Sequence, residues 1–430
     1  MRLSLRFAVI ASTLVAASGC GDAGDADPSM ADAGGDEYVA PEATLEWEKV
    51  EIPGTVCGDG SPYKFFISRS IGGTNSDNLL IYMEPGGACW DYPSCAGDRG
   101  IRGAANPDGI PDDHMTGGDG GVPWSQAAPL LRRNQVENPA WDWTLVFIPY
   151  CTGDVHAGDR TITYVDEDTG EELPWHHNGR ANVQAAIDWL DGEYSTVPQM
   201  LVTGCSAGGA GAISNYYFFR HGITGADRGY LLADSGPIFP AAGPDDWSYE
   251  LHQEIKEAWG VGDLLDSEFP QYDLSDFGNI NELLAQEFPD DRLVHAFFQM
   301  DYNYSLYSYE RFQFNGDDGE RAGLDPSTDE YREWIYTMWW EDTLALRERL
   351  DDLDNFAYYL PFYREFNDSH CLTPLTWGGT EIEEDDMDLQ TYTEHLLNDA
   401  EPLRSHFEDS CDDPARYDDE AYAALTPKCQ

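Results

Sequence analysis

The sequence predicts an α/β domain with a parallel or mostly parallel central sheet covered by helices on both faces. Three observations predict it. Short runs that are apolar at nearly every position and end in turn residues have the pattern of strands buried on both faces. Helical patterns lie between them, and a Gly-x-Ser-x-Gly follows one such strand and opens a helix. The strands are expected over 79–84, 144–149, 200–203, 230–233, 293–300 and 356–360. In the helix over 181–190, Val183, Ile187 and Leu190 share one stripe, and the helix over 209–219 comes directly after the third strand. The segments 245–291 and 315–352 mix acidic and aromatic residues without strand signals, and the second holds an amphipathic helix near 331–350. They are expected as cap-like insertions over the carboxyl ends of the strands, where open α/β sheets form their ligand sites.

Composition sets outer limits. A chain of 430 residues with 41 % hydrophobic and 13 % aromatic residues can bury a sizeable core, which excludes disorder along its whole length. The 24 Lys and Arg against 80 Asp and Glu give a net charge of −56, and the only lysines are Lys49, Lys64, Lys256 and Lys428. Such a surface repels phosphate backbones and argues against nucleic-acid binding and unaided capture of a polyanion. A solvated acidic surface is the preferred reading of this charge. The Asp-rich stretches 106–121 and 315–325 do not fit the EF-hand spacing, and no CxxC or HExxH provides a zinc site, so no metal is assigned.

The N-terminus indicates export. Arg2 and Arg6 precede an apolar run over 7–17, long enough for a secretory signal and too short to span a bilayer. It ends in Ala17-Ser18-Gly19-Cys20, which looks like a lipobox, with Cys20 as the acylated mature N-terminus; an ordinary signal peptide is the alternative. The expected organisation is a signal peptide over 1–19, lipidated Cys20 with a flexible acidic tether over 20–44, and a folded domain over 45–430. The only membrane contact expected is through that lipid, in a cell-envelope lipoprotein. The eight remaining cysteines suit disulfides in an exported chain, with 105 possible pairings; Cys89 with Cys95 and Cys411 with Cys429 are plausible by proximity.

The sharpest local signal is Gly204-Cys205-Ser206-Ala207-Gly208-Gly209. Small residues around the serine permit a tight strand-to-helix turn that exposes Oγ at a helix N-terminus, where N–H groups favour developing negative charge. A serine of ordinary pKa needs a base, and the base needs a carboxylate. In this fold class both follow the nucleophile in the order Ser, Asp or Glu, His. Asp301, at the end of the strand 293–300, and His370, after the strand 356–360, are the choices. His395 and His406 lie on polar, helix-like segments past the last strand; His156, His176 and His177 precede the serine, although His156 can still line the site. Asp234 is the rival acid. The Gly-rich segment 83–90 (MEPGGACW) leaves an early strand, and the amides of Gly87 and Ala88, with that of Ala207, are the expected oxyanion donors. This chemistry needs no cofactor.

The segments EPGGACW, FIPYCTGDVHAG, GCSAGG, LADSG, the strand ending at Asp301, and SHC occur in an order and spacing that resemble the pectin acetylesterase/Notum family, over roughly residues 50 to 375. The resemblance implies an α/β-hydrolase-like fold and a serine carboxylesterase. It implies Ser206 as nucleophile, Asp301 as acid, His370 as base, an oxyanion hole at Gly87, Ala88 and Ala207, and a structural role for Asp234. It implies as substrate an acyl ester, O-acetyl on a polysaccharide being the first choice and a long acyl chain on a protein the other. Pro85-Gly86-Gly87-Ala88 departs from relatives with a bulky aromatic after a glycine pair, so the shape of the acyl pocket does not transfer. A non-catalytic glycan- or acyl-binding protein on the same fold is the alternative from another class; a peptidase or thioesterase would use the same residues. The aromatic runs 302–309 and 339–340 are candidates either to line a sugar or acyl site or to pack the cap.

Overall fold

The computed structural model describes residues 46–409 apart from 73–75, 98–102, 118–122, 135, 315–322, 365 and 375. The expected signal peptide, Cys20, the tether, Cys411 and Cys429 lie outside the described residues, as do parts of both Asp-rich stretches. The chain runs through β1 (Glu48–Val56), β2 (Pro62–Ser68), β3 (Leu79–Met83), α1 (Tyr92–Cys95), α2 (Trp124–Ala127), β4 (Thr144–Ile148), β5 (Arg160–Val165), β6 (Glu172–His177) and α3 (Gly179–Glu193). It continues through β7 (Val197–Cys205), α4 (Ala207–Gly222), β8 (Ala226–Asp234), α5 (Tyr249–Ala258), α6 (Val261–Glu268), α7 (Ile280–Glu287) and β9 (Arg292–Ala296). Last come α8 (Tyr302–Gln313), α9 (Asp329–Leu350), β10 (Phe356–Leu360), α10 (Leu389–Leu397) and β11 (His406–Phe407).

Nine strands form one sheet in the order β1-β2-β4-β3-β7-β8-β9-β10-β11, and β5 with β6 makes a separate hairpin. Within the large sheet, among the described residues, only β1 with β2 and β2 with β4 pair antiparallel; from β4 to β11 every neighbour is parallel. The reason is visible in composition: β3, β4, β9 and β10 are buried at every residue, as parallel strands covered on both faces require. β1 is largely exposed, with Val50 its one buried residue, and takes the antiparallel edge. The result is a mostly parallel sheet flanked by helices, an α/β-hydrolase-like architecture.

Helix α4 is buried along most of its length because Ala207, Gly208, Gly209, Ala210 and Gly211 let its backbone lie directly on the sheet. A Cβ on Gly209 would stand 2.1 Å from the carbonyl oxygen of Asp234, so only glycine fits that approach. Two expectations need correction. The strand expected over 293–300 ends at Ala296. Phe297, Gln299 and Met300 still donate to the carbonyls of Tyr359, Pro361 and Phe362, but the chain peels away and Asp301 caps α8, accepting from Tyr304 N at 2.9 Å. Phe297 to Met300 mimic a strand because they are all apolar or buried polar residues in the core. The segment of His406 is not helical: it is β11, with Nδ1 2.6 Å from Asp385 Oδ2.

Among the described residues no helix is long and apolar enough to cross a membrane. Among the described residues three disulfides are present. Cys57–Cys151 ties the β1–β2 turn to the end of β4, Cys89–Cys95 closes the loop into α1, and Cys205–Cys371 joins the end of β7 to the loop after β10.

Candidate active site

The carboxyl ends of β3, β7, β8, β9 and β10 lie side by side in the parallel part of the sheet, so the loops that leave them converge. Ser206 sits between β7 and α4 at φ 56° and ψ −123°, a left-handed backbone that a non-glycine residue adopts at a cost of about 1–3 kcal/mol. The turn is held by Ser206 N donating to Asp234 O at 2.9 Å. Only 8 % of the residue is exposed, and it opens into a cavity lined also by Gly87, Ala88 and Ala207. Ala207 is the first residue of α4, so its N–H has no acceptor within the helix.

His370 Nδ1 lies 2.7 Å from Asp301 Oδ2, and Asp301 is fully buried. Burial opposes the imidazolium, but Asp301, reinforced by Asp234 and Asp368, outweighs it and raises the His370 pKa above the ordinary histidine value. The disulfide Cys205–Cys371 joins the residue before Ser206 to the residue after His370, which brings the two loops together covalently. Asp234 accepts from Leu372 N, Thr373 N and Thr373 Oγ1 at 2.7–3.0 Å and so anchors the stretch of loop that follows the histidine. Ser235 Oγ adds a bond from Cys371 N at 3.0 Å.

The other histidines have other surroundings. His156 does not line the cavity, although Val155 and Ala157 on either side do. Its Nε2 is 2.9 Å from the carbonyl oxygen of Glu84, and burial pushes its pKa down to about 4, which leaves it a neutral strut under the Gly-rich loop. His177 is buried between Tyr164 OH and Thr152 O. The loop itself is fixed by Glu84, whose buried carboxylate accepts from Tyr150 N at 2.6 Å and Asn106 Nδ2 at 2.9 Å and meets His114 Nε2 at 3.0 Å. Sequence reasoning passed over Glu84 as a strand terminus. A lone acid closing an apolar strand was the available signal.

The cavity is open to solvent at its mouth, and the space between its walls, that open solvent counted in, is about 1080 Å³. Its wall is largely apolar: Trp90, Phe218 and Phe239 from the body face Leu251, Ile255 and Leu265 from α5 and α6. Tyr304 and Tyr307 of α8 line it, whereas Trp339 is buried against Phe239 and Phe297, and Trp340 packs near Phe407. The segment 245–291 thus supplies one wall of the cavity. Helix α9, in the segment 315–352, packs behind α8 without lining it. Among the described residues, the two groups of closely spaced His and Cys atoms, Cys89-Cys95-His177 and Cys205-His370-Cys371, each spend both sulfurs in a disulfide.

Comparison with known proteins bears on residues from β1 to the start of the first insertion. Residues 43–245 match the family model described as Pectinacetylesterase. The chain is 29 % identical over 164 residues to palmitoleoyl-protein carboxylesterase NOTUM of Homo sapiens, covering 37 % of this chain and 28 % of that protein. It is 25 % identical over 220 residues to the Drosophila melanogaster NOTUM (47 % and 29 %) and 26 % identical over 194 residues to pectin acetylesterase 11 of Arabidopsis thaliana (44 % and 44 %). The matched region therefore spans less than half the length of these relatives. The residues that match the pectinacetylesterase model, 43–245, carry both the Gly-rich loop and the Ser206 turn.

Proposed function

We propose that this protein is an exported serine carboxylesterase that removes an apolar acyl chain longer than acetyl through an acyl-enzyme on Ser206. The observation that carries this reading is the placement of Ser206 in the wall of a largely apolar cavity that Gly87, Ala88 and Ala207 also line. Ser206 Oγ attacks the ester carbonyl while His370 Nε2 takes its proton, and Asp301 holds Nδ1–H and stabilises the imidazolium. The amides of Gly87, Ala88 and Ala207 donate to the oxyanion, each worth about 3–4 kcal/mol in such sites. Collapse expels the alkoxide, which takes the proton from His370, and water repeats the sequence to release the acid. Family relatives are named for palmitoleoyl-protein and pectin substrates, which supports acyl-ester chemistry in general. The chamber favours the long chain, because an acetyl group would leave most of it unfilled. Disulfides support an oxidising compartment, and Cys20 is the proposed point of anchorage.

The test is labelling of the purified chain with a fluorophosphonate, mass spectrometry of the adduct, and kcat/KM on p-nitrophenyl esters from acetate to laurate. Ser206 is expected to carry the label, and kcat/KM is expected to rise at least about tenfold from acetate to octanoate, since each buried methylene contributes about 0.8 kcal/mol. Acetate as the best substrate would favour polysaccharide deacetylation instead, and no label on folded protein would favour a binding protein. The pH profile follows from His370. The base must be neutral to accept a proton, and its raised pKa means that activity is lost as pH falls through a value above 6.5. The acid limb of kcat/KM is therefore expected to have its midpoint above 6.5; a midpoint below it would show that Asp301 does not hold the imidazolium in the free enzyme.

A further inference from the structure

The Gly-rich loop is pinned at both ends and open between them. At its start, Glu84 N donates to Ile148 O at 3.0 Å and Glu84 O lies 2.9 Å from His156 Nε2. At its end, Cys89 N donates to Gly153 O at 2.8 Å, and Cys89 O accepts from Trp259 Nε1 at 2.7 Å. The four residues between, Pro85 to Ala88, make no main-chain hydrogen bond among the described residues. With φ at 152° in Gly86 and 84° in Gly87, their path is not stiffened by side chains either, so the amides of Gly87 and Ala88 stand where the two anchors put them.

Three of the four anchoring partners, Ile148, Gly153 and His156, belong to β4 or the loop after it. Trp259 comes from elsewhere. It caps the C-terminus of α5 in the insertion over 245–291, is 3 % exposed, and lines the cavity. Its own main chain is docked on the body, where Trp259 O accepts from Asp159 N at 2.9 Å. An indole nitrogen donates one hydrogen bond and accepts none, and this one is given to the carbonyl one residue past Ala88. Gly153 and the Cys89–Cys95 disulfide hold the amide and the side chain of Cys89, which leaves its carbonyl to Trp259.

We propose that Trp259 is a positioning residue for the oxyanion hole, through which the insertion over 245–291 keeps the Gly87 and Ala88 amides aimed at the ester carbonyl. The inference rests on the reading of Ser206 as the acylated nucleophile and of those amides as its oxyanion donors. Cys89 is fully buried, so without the indole N–H its carbonyl is a buried acceptor with no donor, the costly arrangement that a peptide turns to escape. Such a turn passes to Ala88 across a single residue. Oxyanion donors act over a narrow range of distance, and a displacement of about 1 Å is enough to cost about a hundredfold in rate.

The test is Trp259→Phe in the full chain, which keeps an aromatic ring in the wall and removes the N–H. On p-nitrophenyl octanoate, kcat is expected to fall about tenfold to a hundredfold while KM stays within about twofold. The second readout is the inhibition constant of 1,1,1-trifluorodecan-2-one. Ser206 Oγ adds to its carbonyl carbon, the serine proton passes to His370, and the carbonyl oxygen becomes an oxyanion in the hole, so this constant is expected to rise by a similar factor. A smaller folded fraction lowers the measured kcat and leaves the inhibition constant as it was. A fall in kcat without that rise therefore overturns the proposal. So does a higher KM at constant kcat, which would make the indole a wall of the acyl chamber alone, and so do wild-type values throughout. If Trp259→Phe does not fold, 3-benzothienylalanine in place of Trp259, with sulfur for the N–H in a ring of the same shape, is read by the same criteria. Absence of both turnover and fluorophosphonate label at Ser206 in the wild-type chain fails the esterase reading and this role with it. Wild-type turnover with an unaffected variant fails the role of Trp259 alone.

Discussion

Replacing Ser206 by alanine is expected to lower kcat on an acyl ester by about 10⁶-fold, because without Oγ neither His370 nor the oxyanion amides have an acyl-enzyme to form. The residual rate is expected to stay about 10³-fold above the reaction in water, since Gly87, Ala88 and Ala207 can still polarise a bound carbonyl. Stability should hardly change. Alanine and serine bear the same left-handed backbone strain at this position, and no side-chain cap from Ser206 to α4 is lost. Turnover, fluorophosphonate labelling and the urea midpoint of Ser206→Ala measured together separate loss of chemistry from loss of fold. Full turnover in a folded variant would place the nucleophile elsewhere.

The second large effect is expected from Gly208→Ala, and it is one of packing. A Cβ at this position would stand 2.0 Å from the carbonyl oxygen of Met83, 2.7 Å from its carbon and 3.1 Å from the carbonyl carbon of Glu84. These are backbone atoms at the end of a central strand, hydrogen-bonded on both sides, and they have nowhere to go. Helix α4 must move off β3, which is expected to cost more than about 3 kcal/mol and to displace Glu84, the residue that leads into the Gly87 and Ala88 amides. Gly192→Ala is the matched control. It lies near the end of α3 with nothing within 4 Å of the new atom, and a helical alanine gains up to about 1 kcal/mol over glycine. Equal urea midpoints for Gly208→Ala and the wild-type protein would mean that α4 does not lie on β3 as closely as described.

Much of this protein follows from local sequence. β3, β4 and β10 were legible because a strand buried on both faces has no polar register, and the helices α3 and α4 because their apolar and small residues recur at helical spacing. The Ser206 turn was legible for a similar reason: glycine is needed where backbones approach closely, and that need leaves a trace in the sequence. β7 and β8 extend further than their apolar cores, from Val197 and Ala226, because Pro198 and Gln199 in one and Asp227 and Arg228 in the other interrupt the apolar pattern near their starts.

What only the tertiary structure decided concerns partners. Hydropathy reports that a residue is buried and not what it is buried against. The disulfides Cys57–Cys151 and Cys205–Cys371 span 94 and 166 residues, and no local pattern distinguishes them from other pairings. Asp301 was expected at the tip of a strand and is instead the cap of α8, placed against His370 by a chain that has already left the sheet. Asp234 and Glu84 are acids of ordinary appearance whose work is to hold the loops on either side of Ser206. Arg180 stands in the first turn of a helix, where a cation has no intrinsic advantage, and its neighbours Phe218 and Glu268 are supplied only by the fold. Local sequence determined the scaffold and the Ser206 turn, because both depend on backbone conformation. The shape and polarity of the chamber were decided by the fold, because they arise from side chains that meet only after the sheet and the helical insertion over 245–291 have closed around them.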